Sequence, residues 1–180
     1  MYKKTVIRKY FEELLKSAIP NVSNRVYSGR INQVEDDVYP YITLFSKNET
    51  IQEQFTTHTQ RELNLNVGIV ISDNTINDGD FYEKIEDLMI EVDNVIGRVL
   101  SESVSPITDD EFYLFEDIAF LSSSTDHDNT SGNDIGMAML EYKIIYNYSL
   151  PVIPLTLEDF DWQSSIANIQ ITNDGVPLNV

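Results

Sequence analysis

At 180 residues and 20.6 kDa, with 42% hydrophobic and 11% aromatic residues, the chain has the composition of one ordinary globular domain with its own core. Its formal net charge of −18 is uneven: residues 1–30 hold seven Lys/Arg against Glu12 and Glu13, so residues 31–180 hold five against twenty-eight acids, or −23. Such a body repels phosphate and argues against reading a nucleic acid, the lack of cysteine removes disulfides, thiol nucleophiles and thiolate metal sites, and no apolar run approaches the roughly 20 residues of a membrane span.

The N-terminus alternates charged and apolar side chains instead of offering a signal-peptide core, which leads us to expect a cytosolic protein. Within residues 3–18, Val6, Tyr10, Phe11, Leu14, Leu15 and Ala18 fall on one side at helical spacing, with Lys3, Lys4, Lys9, Glu12, Glu13 and Lys16 elsewhere. That spacing predicts an amphipathic helix. Pro20 and Asn21 end it, and Arg25 to Ser28 reads as a short strand. The loop Gly29 to Pro40 carries Glu35, Asp36 and Asp37, and Pro40 leads into a strand over Tyr41 to Phe45. The polar residues Ser46 to Gln60 make either a long connection or a loosely paired ribbon. Leu63, Leu65, Val67, Ile69 and Ile71 then alternate with Glu62, Asn64, Asn66, Gly68 and Val70, the period of a strand with one buried face.

The turn at 77–80 introduces a second helix, where Asp80 and Glu83 form a plausible N-terminal cap pair. Its expected stripe is Tyr82, Ile85, Leu88, Met89, Val92, Ile96, Val99 and Leu100. Past Pro106 come a strand around Tyr113 to Leu121, a polar loop at 122–134, and a long strand in which Ala138, Leu140, Tyr142, Ile144, Tyr146 and Tyr148 share a face. The order α, β, β, β, α, β, β predicts an α+β fold over residues 1–149: a mostly antiparallel mixed sheet of about five strands with two α-helices packed on one face. Residues 150–180 read as a C-terminal arm, with Pro151, Pro154 and Pro177, no Lys or Arg, and the only tryptophan, Trp162. Ile166 to Ile171 and Val176 to Val180 flank the turn Asn173-Asp174-Gly175 as a small hairpin, and Pro177 confines its second strand to an edge.

Little in the sequence argues for catalysis. His58 and His127, the only near-neutral acid–base groups, sit in polar stretches. Ser122, Ser123, Ser124, Asp126, His127 and Asp128 include every residue type of a hydrolase triad, but triad members normally converge from separate parts of a fold. Asp126, Asp128 and Thr130 faintly suggest a calcium loop, yet Gly132 falls one place late and Met137 stands where a bidentate glutamate belongs. The reading preferred for 122–134 is a mobile loop. Glu35, Asp36 and Asp37 read as a solvated turn instead of a glycosidase pair.

Three segments carry a resemblance: VYSGRINQVEDDVYPYITLF at 26–45, RELNLNVGIVI at 61–71 and IGMAMLEYKIIYNY at 135–148. Together with the rest of residues 1–148 they resemble the phage tail terminator family, the lambda-type minor tail protein U. The resemblance implies a structural virion protein, not an enzyme and without a cofactor, assembled in the host cytoplasm. Its implied partners are further copies of itself in a homo-hexameric ring, the tail tube protein that the ring caps and stops from polymerising, and the head–tail connector protein that docks on it. Neither membrane nor sequence-specific nucleic-acid binding is implied. The family often has proline where this chain has Gln33, and residues 150–180 have no counterpart.

A ring needs two different patches of each subunit to meet, and exposed sheet edges or long loops can supply them. The candidate stretches are 46–60, which contains Phe55 and His58, and 122–134. Arg25 and Arg30, isolated above an anionic body, are candidates for pairing with a neighbour's acids or with acids of their own chain. Trp162, with Leu157, Phe160 and Ile166, gives the arm an apolar anchor for a neighbour or another virion protein. Competing readings are another head–tail or neck completion protein, a monomeric adaptor binding through the arm, and a small hydrolase using 122–134.

Overall fold

The computed structural model describes residues 3–22, 24–29, 39–72, 78–101, 113–128, 135–149, 172–173 and 176–177. The chain divides into two compact units, Met1–Leu150 and Pro151–Val180. The first contains α1 (Lys3–Ala18), β1 (Val26–Ser28), β2 (Tyr41–Gln54), β3 (His58–Ser72), α2 (Asp78–Ser101), β4 (Asp117–Asp128) and β5 (Ile135–Ser149). These strands form one sheet in the order β1-β2-β3-β5-β4, with β1 parallel to β2 and the other neighbours antiparallel. In the second unit, β6 (Thr172–Asn173) pairs antiparallel with β7 (Val176–Pro177), Thr172 opposite Pro177 and Asn173 opposite Val176. The expected first hairpin strand at 166–171 lies outside the described residues.

The fold class is the predicted one, and the reason is visible in the register. Leu63, Leu65, Val67, Ile69 and Ile71 of β3 are paired with Ile144, Tyr142, Leu140, Ala138 and Gly136 of β5. These pairs, with Ile42 and Leu44 of β2, are buried beneath the two helices. Each aliphatic side chain so buried contributes about 1.5–3 kcal/mol relative to an exposed one. The core of α1 is Ile7, Phe11 and Leu15, all fully buried, while Val6, Tyr10 and Leu14 are half-buried and Ala18 is exposed. The helix is therefore rotated by about one residue from the sequence-derived stripe, because Ile7 completes an i, i+4, i+8 line toward the sheet. Phe11 stacks on Phe115 at 5.5 Å between ring centroids, which ties the approach to β4 under α1.

The same adjustment occurs in α2. Phe81 is buried and Tyr82 exposed, since the line Phe81, Ile85, Leu88, Val92, Ile96, Val99 faces the sheet. The helix already includes Asp78, so Asp80 lies within its first turn and not at the position before it. Gly136 sits opposite: a Cβ there would lie 2.4 Å from both Phe81 Cε1 and Ile85 Cδ1. Gly136→Ala should destabilise the subunit by about 1–3 kcal/mol through overpacking. The denaturant midpoint should fall with the slope unchanged.

One open alternative is decided and two further expectations are revised. Ser46 to Gln60 is a paired ribbon, since β2 runs on to Gln54 and β3 begins at His58. The polar stretch from Ser122 to Asp128 is strand, because β5 pairs with it residue by residue and satisfies its backbone whatever its side chains; residues 129–134 lie outside the described residues. In β3, Asn66, Gly68 and Val70 are buried too, so both faces are covered there. Thr43 and Met139 flank Gly68 so closely that an added Cβ would lie 2.9 Å from Thr43 Cγ2.

Candidate functional site

The far half of the β2–β3 ribbon projects many exposed side chains along an extended pairing. It ends in a two-residue turn, Thr56-Thr57, closed by a hydrogen bond from the Phe55 amide to the His58 carbonyl at 2.9 Å. Phe55 and His58, single candidates in the sequence, come together here, with ring centroids 4.5 Å apart and planes 19° from parallel. Phe55 is 43% exposed, and Ile51, near the end of β2, is 58% exposed. His58 Nδ1 is 3.1 Å from the Thr57 hydroxyl.

At the ribbon's root lies a polar knot that the sequence reading did not anticipate. Irregularities between Ser46 and Glu49 and between Ile51 and Glu53 interrupt the pairing and leave Glu49 opposite Leu63, facing the helix side. Arg61 NH1 donates to Glu49 Oε1 at 2.8 Å, and the Tyr146 hydroxyl donates to the same oxygen. Lys4 Nζ, in the first turn of α1, reaches Glu49 Oε2 at 3.3 Å. The Arg61 guanidinium also covers the Tyr148 ring at 4.3 Å. Burial pushes the Glu49 carboxyl up, but hydrogen bonds from Tyr146, Arg61 and Lys4 outweigh it and hold the group below its ordinary value. Burial, then the bond to Glu49, pushes the Tyr146 phenol well up. A signal was present: tyrosines at alternate positions where a strand usually carries aliphatics need partners for their hydroxyls. Tyr142 meets the same need on α2, donating to Asp93 Oδ1 at 2.9 Å, and burial followed by that bond raises its phenol.

Alkaline conditions test this arrangement. A phenol whose folded value exceeds its unfolded one contributes stability that is complete below the unfolded value of about 10 and is lost as pH rises toward the folded value. Phenolate absorbance should therefore show Tyr142 and Tyr146 ionising only as the protein unfolds.

Among the described residues Arg25 is held by carbonyl oxygens of its own chain. Its NH1 donates to Tyr39 at 3.0 Å and its Nε to Val22 at 3.4 Å, with NH2 on Asn21. It thereby ties the turn after α1 to the entry of β2, beside the cis Tyr39–Pro40 peptide. Reversal of charge at Arg25 should lower subunit stability by about 1–3 kcal/mol, because several carbonyls lose a charged donor. Arg30 and Trp162 lie outside the described residues.

The residue types of a hydrolase triad do not converge. Ser124 is paired with Met139 and His127 with Gly136, which places them on opposite faces of β4. His127 lies against Phe81, with ring centroids 5.3 Å apart. Asp126 and Asp128 stand on the Ser124 face of an extended strand, which cannot wrap oxygens around a cation. No group of three or more metal-ligating side chains occurs among the described residues. A cleft of about 380 Å³ between Pro40, Ser72 and α2 carries Lys84, Asp87 and Glu91. Among the described residues no helix is long and apolar enough to cross a membrane.

No protein-family model matches the chain, and no curated protein matches it. Among solved structures it is similar to a chain from the virion of a native gene transfer agent particle. Identity is 10% and the TM-score 0.47, over 77% of this chain and 92% of the other.

Proposed function

We propose that this chain is a structural phage tail terminator, in which residues 1–149 form the tail-terminator-like domain and 150–180 an arm that contacts a neighbouring subunit or virion protein. Six copies close a ring on the last turn of the tail tube, stop its polymerisation and present the opposite face to the head connector. The protein works in the virion tail after assembly in the host cytoplasm, and it carries no catalysis.

The observation that supports this reading is where the resemblance falls. Its three segments coincide with β1 and the start of β2, with β3, and with β5, which are four adjacent strands of one sheet. Likeness spread over unrelated surface loops would carry less weight than likeness in strands that must pack together. The anionic body fits the role as well, because DNA leaving the head must pass the ring without adhering to it. The isolated protein should accordingly show no retention of double-stranded DNA at moderate salt in a gel-shift assay, since −23 over residues 31–180 offers almost no counterion release. Tight, salt-sensitive binding would contradict this. The direct test is the tail made in the protein's absence, viewed by electron microscopy, with overlong headless tubes expected.

A further inference from the structure

The sheet has two edges of opposite character. One is β4, whose outer side pairs with no other described strand. Glu116, Asp117 and Asp126 are exposed along it, and residues 99–142 as a whole hold ten acids and no Lys or Arg. At its bulge it exposes Phe120 by 50% and Leu121 by 47%. The other edge is the short β1 followed by the stretch of β2 beyond Leu44, where β3 is the only described partner. α1 packs over this side against β1 and β2, as well as against α2, and brings Arg8 against Gly29 and Lys9 into solvent. Lys47 is exposed in the β2 irregularity, offset by Glu53. Residues 1–54, with Glu35, Asp36 and Asp37 included, hold eight bases against seven acids. This edge also bears the exposed Ile51 and Phe55.

Each edge thus has an apolar pair among charged residues; the β4 surround is acidic throughout, while the α1–β2 surround is near balance and exposes Lys9 and Lys47, so charge favours a contact between the two edges over one between two β4 edges. We infer that the β4 edge of one copy docks on the α1–β2 edge of a second copy, with Phe120 and Leu121 meeting Ile51 and Phe55 and the β4 acids meeting Lys9 and Lys47. The contact is head to tail, so it can close a ring but cannot stop at a two-fold dimer. It presupposes the ring described above. Bulges on both edges interrupt any continuous backbone ladder, so charge and the apolar pair carry the contact, and added salt should weaken it.

Charge exchange tests the contact. An acid-edge variant, Asp117→Lys with Asp126→Lys, and a basic-edge variant, Lys9→Glu with Lys47→Glu, alter only exposed side chains. By sedimentation, each alone should self-associate at least about tenfold more weakly than wild type, since like charges then face each other. An equimolar mixture of the two, or one chain carrying all four changes, should regain association, which misfolded variants could not do. Association undiminished in both single-edge variants would overturn this interface while leaving the ring reading intact, and so would loss without recovery in the mixture. A wild-type chain that stays monomeric at every accessible concentration would likewise overturn the contact, whereas tail length in phage lacking the protein judges the ring reading separately.

Discussion

Phage lacking this protein are expected to make abnormally long tails that carry no heads, while their heads still fill with DNA. A tube grows because each added ring exposes the surface on which the next one sits. A terminator ring that matches the tube on one face and differs on the other removes that surface, so its absence leaves growth unchecked and the connector without a seat. Ser124 and His127 stand on opposite faces of β4, and the histidine is packed on Phe81. Electron micrographs of lysates measure the outcome directly. Tails of normal length joined to heads in the deletion strain would eliminate the terminator reading, and headless tails of normal length would favour a neck protein acting after termination.

How much of this was legible before the fold was known depended on whether burial left a period in the sequence. β3 and β5 were readable because alternate residues of each meet the helices, and their apolar positions recur at two. The helices were readable in type but each was off by a residue, Ile7 for Val6 and Phe81 for Tyr82, since helical spacing tolerates a small rotation and only packing decides it. The second half of β4 left no trace. An edge strand with most side chains in solvent has no apolar period, and Ser122 to Asp128 is strand solely because β5 supplies backbone partners. Of the site residues, Phe55 and His58 could be named singly, but their stacking required the turn at 56–57. The knot around Glu49 was invisible for another reason: Tyr146 and Glu49 are separated by 97 residues and meet only through the order β2-β3-β5.

That knot gives the second large effect expected from a single substitution, at Glu49. Its carboxylate is the common acceptor for Arg61, Lys4 and the Tyr146 hydroxyl, and its side chain is only 18% exposed. Glu49→Ala would leave a half-buried guanidinium, an ammonium and a buried phenol without their anion, and the cost of breaking such a set is about 3 kcal/mol. Most of it comes from the unpaired groups, so Glu49→Ala with Arg61→Ala and Tyr146→Phe should cost less than the single changes added together. The pH dependence has a definite sign. Because the folded carboxyl is held below its unfolded value, its contribution is complete above the unfolded value and is lost as pH falls through the folded one. The stability gap between wild type and Glu49→Ala should therefore narrow on acidification, without a corresponding change between neutral and mildly alkaline pH. Hydrogen exchange locates the effect: amides of 50–61 should lose protection in the variant while those of 63–71, under the helices, keep theirs. If the whole sheet loosened together, the ribbon would not be a separate unit anchored at Glu49. If instead only the ribbon loosened, the exposed Ile51 and Phe55 would lose their fixed placement and self-association would weaken at a subunit stability still sufficient for folding.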